Sequence, residues 1–190
     1  MFTVTRKAEM GVGTLIIFIS LLLVAAVAAG VLIQTAGSLQ QQALSTGSQA
    51  TGQISTNAIA LEVSATDGQD GQIDTFYQVM KLAPGSDPIR LDDVTLTFAT
   101  SNTSQTLTYT TNESEMGSEF FTVDYLQTGQ NNQTGTIVRG DVVELQFTSA
   151  RNITEGENVR INLIPQIGTS TLVQFSTPDV MSTQRVYLYP

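Results

Sequence analysis

The sequence predicts an α+β protein: a long hydrophobic N-terminal α-helix followed by an antiparallel, immunoglobulin-like β-sandwich. Three observations carry that prediction. No charged residue occurs between Met10 and Leu61. Within that stretch, residues 15–33 read LIIFISLLLVAAVAAGVLI, apolar apart from Ser20 and Gly30. From Ala58 onward the hydrophobic period becomes two, and turn residues separate short runs rich in Thr and Val.

The nineteen residues 15–33 span roughly 28 Å as a helix, about the hydrocarbon thickness of a bilayer. Apolar side chains lie on every side, so such a helix needs lipid or protein around it. Arg6 and Lys7 precede it, and the next basic residue is Lys81. By the positive-inside rule the amino end stays cytoplasmic and the remainder crosses. Three fates fit these features: a secretory signal cut near Ala26–Ala29, a permanent single-pass anchor, or a leader cut before the apolar helix. The apolar run exceeds the usual ~7–15 residues of a signal core and continues without a turn into more helix-compatible sequence, which favours keeping the helix.

Beyond Ile33 the chain is polar and uncharged and carries no Pro until Pro84. Ile33, Ala36, Leu39/Gln40, Ala43, Gly47, Ala50 and Ile54 recur at helical spacing. Gly37, Gly47 and Gly52 oppose a helix, each by about 1 kcal/mol relative to Ala. Two outcomes follow: a helix from about residue 10 to about residue 57, roughly 70 Å long, or one that ends near Gly37 and gives way to a linker. In the apolar half, Ala25, Ala26, Ala28, Ala29 and Gly30 allow close helix approach. Thirteen large apolar side chains occupy residues 15–33. Their burial from water is worth on the order of 20–40 kcal/mol gross. Transfer from lipid into a helix bundle gains almost none of this, because lipid tails are equally apolar.

Strand-like runs follow at 59–64, 75–82, 94–99, 106–110, 120–126, 142–147, 159–164, 171–175 and 185–188. Asp67-Gly68, Asp70-Gly71, Pro84-Gly85, Asn131-Asn132, Arg139-Gly140-Asp141, Glu155-Gly156 and Gly168 mark the turns between them. Eight to nine short strands in some 130 residues argue for a sandwich.

Composition excludes most chemistry. The chain has 190 residues, and charged residues make up only 13%, against roughly 25% in ordinary domains. It has no Cys, so disulfides and thiolate sites are excluded, and no His, so an imidazole base is excluded. With eight Lys plus Arg and a net charge of −9, a basic nucleic-acid-binding patch is disfavoured. There is no GxxxxGK[ST] phosphate loop. No cofactor and no catalytic role are expected. Asp67, Asp70 and Asp74 lie in DGQDGQID, an oxygen-rich stretch that suits Ca²⁺. Their spacing departs from an EF-hand, and plain Asp/Gly turns account for them, so no metal is expected. Asp92-Asp93 reads as a solvated strand edge, and Arg139-Gly140-Asp141 spells an adhesion tripeptide that a tight turn explains. Four N-glycosylation acceptors, Asn102, Asn112, Asn132 and Asn152, fall in strand-end or loop-like stretches.

The residues Arg6-Lys7-Ala8-Glu9-Met10-Gly11-Val12-Gly13-Thr14-Leu15-Ile16, the apolar run and the Leu39-Gln40-Gln41 tract resemble the start of an archaeal flagellin (archaellin). INLIPQIG at 161–168, VQFSTP at 173–178 and the final Val186-Tyr187-Leu188-Tyr189-Pro190 resemble the end of one. The resemblance implies a class III signal peptide, type IV pilin-like, with residues 1–8 as a leader. A prepilin-type signal peptidase would cut between Ala8 and Glu9, leaving Gly11 at the third mature position. Ala8 stands where the family usually has Gly, another small residue. The bacterial type IV pilin Glu at the fifth mature position is replaced by Gly13.

The resemblance further implies that residues 9–57 form the filament core, with Leu15, Phe18, Leu22, Ala26, Ala29 and Ile33 inside it, and that residues 58–190 form an outer domain. Its partners would be other copies of the chain or paralogous subunits, an ATP-driven membrane export and motor platform, and N-glycans. The subunit would first be a single-pass membrane protein and then part of an extracellular motility filament. Loss of the leader would leave six basic against 17 acidic residues, a net charge of −11, suited to a shell that keeps filaments apart. Two alternatives stay open at this stage: an archaeal type IV adhesion pilin, and a membrane-anchored monomeric β-sandwich binding domain.

Overall fold

The computed structural model describes residues 5–66 and 68–189. The chain divides into two compact units, Met1–Ser48 and Gln49–Pro190. Helix α1, Thr5–Ser55, is continuous through Gly37, so no linker begins there. Its polar residues do not disturb it, because several hydroxyls bond back to their own helix. Thr14 Oγ1 donates to the Gly11 carbonyl at 2.9 Å, Ser20 Oγ to Ile16 at 2.8 Å, and Thr35 Oγ1 to Leu32 at 3.0 Å.

The last turn of α1 belongs to the second unit and is fastened there. Thr56 N–H closes the final helical bond to the Gly52 carbonyl. Ser86 Oγ accepts from Asn57 N–H at 3.0 Å and lies 2.9 Å from the Asn57 carbonyl and 3.3 Å from that of Ser55. Ala83 N–H bonds Asn57 O, and Thr169 N–H bonds Thr56 O, each at 2.9 Å. Gly168 has φ +126°, and a Cβ there would lie 2.7 Å from the Thr56 carbonyl, so this approach requires glycine.

Eleven strands follow: β1 (Ala58–Thr66), β2 (Gln72–Leu82), β3 (Ile89–Arg90), β4 (Val94–Thr100), β5 (Ser104–Tyr109), β6 (Phe120–Gln127), β7 (Thr136–Ile137), β8 (Val142–Thr154), β9 (Asn158–Pro165), β10 (Thr171–Ser176) and β11 (Arg185–Tyr189). Nine of them run in the order β10-β9-β4-β5-β6-β8-β2-β1-β11, while β3 and β7 form a separate pair. All pairings in the nine-stranded order are antiparallel except β5–β6, which is parallel over Thr108↔Phe120 and Tyr109↔Phe121. The sequence reading anticipated antiparallel pairing throughout. The physical reason for the exception is the connection at 110–119, which carries the chain over a short 3₁₀ turn at Glu113–Glu115 before β6.

This seam joins two layers that face each other across an aromatic core. Phe76 of β2 stands opposite Phe147 of β8, ring centres 5.6 Å apart. Phe98 of β4 meets both, at 5.0 and 5.5 Å. Alternation builds the rest: Leu96 and Phe98 from β4, Val143, Leu145 and Phe147 from β8, and Val159, Ile161 and Leu163 from β9 all face inward. Gln78 occupies an inward position of β2 between Phe76 and Met80, and neither its Oε1 nor its Nε2 has a protein partner. At the sheet edge, Arg185 of β11 reaches back over β1. Its Nε and Nη2 donate to Ser64 Oγ at 3.1 and 3.0 Å, and its guanidinium lies 5.3 Å from the centre of the Tyr77 ring.

Two half-buried tyrosines complete the domain. Tyr109 packs against Phe121 with ring centres 5.8 Å apart. Tyr125 of β6 anchors β7: its hydroxyl accepts from Thr136 N–H at 3.2 Å and lies 3.0 Å from the Thr136 carbonyl. Burial pushes the pKa of both phenols up; at Tyr125 the backbone hydrogen bonds oppose that shift.

Phe98→Ala is expected to destabilise the second unit by about 3–5 kcal/mol in urea unfolding. Gln78→Met should instead stabilise it, by about 1–2 kcal/mol, because it removes a buried polar group without a partner. The folded state holds the Tyr109 and Tyr125 protons more tightly than the unfolded chain. The stability they contribute is therefore complete below about pH 10 and is lost as pH rises through their raised pKa values. Ultraviolet titration of the five tyrosines should show a late-ionising fraction whose step coincides with alkaline unfolding; Tyr125→Phe should shrink that fraction.

Candidate assembly helix and surface sites

Leu15, Phe18, Leu22, Ala26, Ala29 and Ile33 fall within an arc of about 80° on α1. All are exposed, with Ile33 at 74% and Leu22 at 51%. The other sides are equally apolar and exposed: Ile17 at 67%, Val24 at 69% and Leu32 at 68%. This surface is uncharged along all 46 residues of Met10–Ser55. Gly30, Gly37 and Gly47 have no neighbouring atom within 4 Å of where a Cβ would stand.

The expected cleavage residues lie near the start of this helix. Ala8, Glu9 and Gly11 all fall within the helical span Thr5–Ser55.

All four sequon asparagines are exposed. Asn102 sits in the bend between β4 and β5, and Asn132 in the loop between β6 and β7. Neither side-chain amide is hydrogen-bonded to another of the described residues. Asn112 caps the 3₁₀ turn at Glu113–Glu115, accepting from Ser114 N–H at 3.2 Å and donating to Glu115 at 3.2 Å. Asn152 lies near the end of β8, where its amide donates to Gln72 Oε1 at 2.8 Å. The thirteen-residue β8 continues past Phe147, where the apolar alternation weakens, because β2 pairs with it as far as Thr154.

The carboxylate candidates do not converge. Asp67 lies outside the described residues. Asp70 is exposed in a 3₁₀ turn at Gly68–Asp70, and Asp74 lies in β2 and accepts from Thr75 Oγ1 at 2.9 Å. Among the described residues no group of three acidic side chains is placed to hold a metal. Asp92 and Asp93 are exposed and share Arg90, each at 3.7 Å.

The Arg-Gly-Asp tripeptide is the instructive case. Asp141 is 1% exposed. Its Oδ1 accepts from Gly129 N–H at 2.6 Å and its Oδ2 from Val138 N–H at 3.0 Å, so the carboxylate is a clamp inside the loop rather than a presented ligand. A Cβ on Gly129 would lie 2.5 Å from the Arg139 carbonyl, which shows how closely the two strands of this loop cross. Sequence reasoning missed the clamp because its partner Gly129 lies outside any local turn pattern. The Ser86–Asn57 contacts were missed for the same reason.

The sequence model of archaeal-type flagellins matches residues 8–175. Flagellin B1 of Thermoplasma volcanium is 32% identical over 223 residues, covering 92% of this chain and 89% of that protein. Flagellin B3 of Halobacterium salinarum is 32% identical over 177 residues, covering 92% and 90%. The crystal structure of archaeal flagellin FlaB1 from Methanocaldococcus jannaschii superposes with a TM-score of 0.65 at 21% identity, over 70% of this chain and 97% of that one. The archaeal flagellum of Methanospirillum hungatei gives a TM-score of 0.72 at 19% identity, over 95% and 99%. The second of these matches spans the long apolar helix together with the mostly antiparallel β-domain. With the family's pattern running from α1 into β10, this chain belongs to the archaeal-type flagellin family.

Proposed function

We propose that this chain is the structural subunit of an archaeal motility filament, polymerising through α1. The observation that carries the reading is the uncharged apolar surface of that helix, exposed on all sides over residues 10–33. Family membership supports it, and so do relatives named as flagellins along nine-tenths of the chain. The helix waits in the membrane as a single span, with residues 58–190 outside. A prepilin-type peptidase removes residues 1–8 between Ala8 and Glu9. An ATP-driven platform then lifts the helix out of lipid into a bundle of copies, a transfer with little apolar gain of its own. In the extracellular filament the helices, residues 9–57, exclude water, and Leu15, Phe18, Leu22, Ala26, Ala29 and Ile33 pack among neighbours. The β-domains form an acidic, glycosylated outer surface. The chain acts by assembly and not by catalysis.

Intact mass and N-terminal sequencing of sheared material, viewed in parallel by electron microscopy, test this reading. Thin filaments whose chain begins at Glu9 are expected. A monomer that begins near Gly30 would show that the helix is a discarded signal and would overturn the proposal. Ala26→Arg should abolish filaments while the β-domain stays folded, since an unpaired charge in a dry bundle costs several kcal/mol. Thr108→Arg, on the exposed face of β5, should leave assembly intact. Glycopeptide mapping should find Asn102 and Asn132 more fully occupied than Asn112 and Asn152, whose amides are already engaged.

A further inference from the structure

The loop from β6 to β8 frames a cleft of about 580 Å³, a size typical of small-ligand sites. Its polar wall comes from Asp87, Gln130, Asn131 and Arg139, and Pro88 and Val138 supply apolar surface. Asn132, exposed and with an amide that is not hydrogen-bonded to other described residues, is the next residue in the chain after the lining residue Asn131. Two clamps hold the frame in place before any ligand arrives. Asp141 ties Gly129 to Val138, and the Tyr125 hydroxyl ties down Thr136, with the Gln133 carbonyl 3.3 Å away. A cleft fixed in this way loses little freedom on binding.

We propose that this cleft is a carbohydrate-binding groove and that the inner sugars of a glycan on Asn132 lie in it. The inference rests on the reading of Asn132 as a glycan carrier. The chemistry matches a sugar on each count. Side-chain amides donate and accept together, as vicinal hydroxyls require. Asp87 accepts and Arg139 donates, so either hydroxyl polarity finds a partner. Pro88 and Val138 offer a surface for the C–H face of a pyranose ring. Attachment one residue from the cleft wall makes the contact intramolecular, so weak individual bonds suffice at the high effective concentration of a short tether. The folded-back glycan then covers a loop whose backbone is exposed at Gly140.

The test compares the full chain from a glycosylating host with its Thr134→Ala variant, which deletes the sequon and leaves Asn132 and every wall residue in place. Asn132→Gln serves as a second sequon variant and should match it. Intact mass reads occupancy, and amide hydrogen exchange reads residues 127–131 and 138–141. The occupied chain is expected to exchange roughly tenfold more slowly there than either variant. Gln130→Ala combined with Arg139→Ala should keep the occupancy and lose most of that slowing. Equal exchange with and without a confirmed glycan overturns the groove alone. An unmodified Asn132 overturns both the groove and the assignment of this asparagine as a carrier.

Discussion

An uncharged apolar helix surface cannot be left in water, and the rest of the chain is organised around that constraint. Thirteen large side chains between Leu15 and Ile33 have no partner within the first unit, because a single helix cannot bury its own surface. In the proposed function, lipid satisfies them before assembly and other helices satisfy them afterwards. Neither environment tolerates unpaired polar groups, and Thr14, Ser20 and Thr35 accordingly spend their hydroxyl protons on carbonyls of their own helix. A division of labour follows. The helix supplies the assembly surface, while the second unit builds a separate core of its own.

That second unit is held together by the packing of two layers rather than by continuous pairing. The layers share a short parallel seam at β5–β6, and across the interior Phe98 of one layer packs against Phe76 and Phe147 of the other. The sheet edge is treated differently. A terminal strand is exposed to fraying and to unwanted pairing, and Arg185 secures β11 by reaching across to Ser64 and over the Tyr77 ring. Arg151 acts in a comparable way at the start of β5, bonding Thr103 Oγ1 at 3.1 Å and pairing with Glu157.

What the sequence revealed, and what it concealed, divides by the range of the interaction. The helix was legible because hydropathy and the run without charge are local properties, and because no proline interrupts the Gln-rich half. The long strands were legible from alternation: Leu96 and Phe98, or Val159, Ile161 and Leu163, announce their buried face two residues at a time. The two-residue β3–β7 pair gave no such signal, since Ile89 and Ile137 meet only through the fold. The parallel seam depends on where a ten-residue connection delivers the chain, which alternation does not encode. Among the candidate sites, the exposure of Asn102, Asn112 and Asn132 follows from their turn-like surroundings. The burial of Asp141 does not, because one of its two partners, Gly129, is supplied by a distant segment of the loop.

Where the helix ends, the chain enters the sandwich without a slack residue. Thr56, Asn57 and Ala58 each hold a bond to another segment: Thr56 and Ala58 to the β9–β10 turn and the start of β10, Asn57 to the β2–β3 loop. In mechanical terms this is a keyed shaft and not a universal joint. A twist applied at Gly52–Ser55 cannot be absorbed by rotation about one peptide. It is shared at once between β1, the loop after β2 and the turn before β10, and so reaches strands in both layers of the sandwich. In a filament subunit, torque arriving through the last helical turn would set the whole β-domain in motion together.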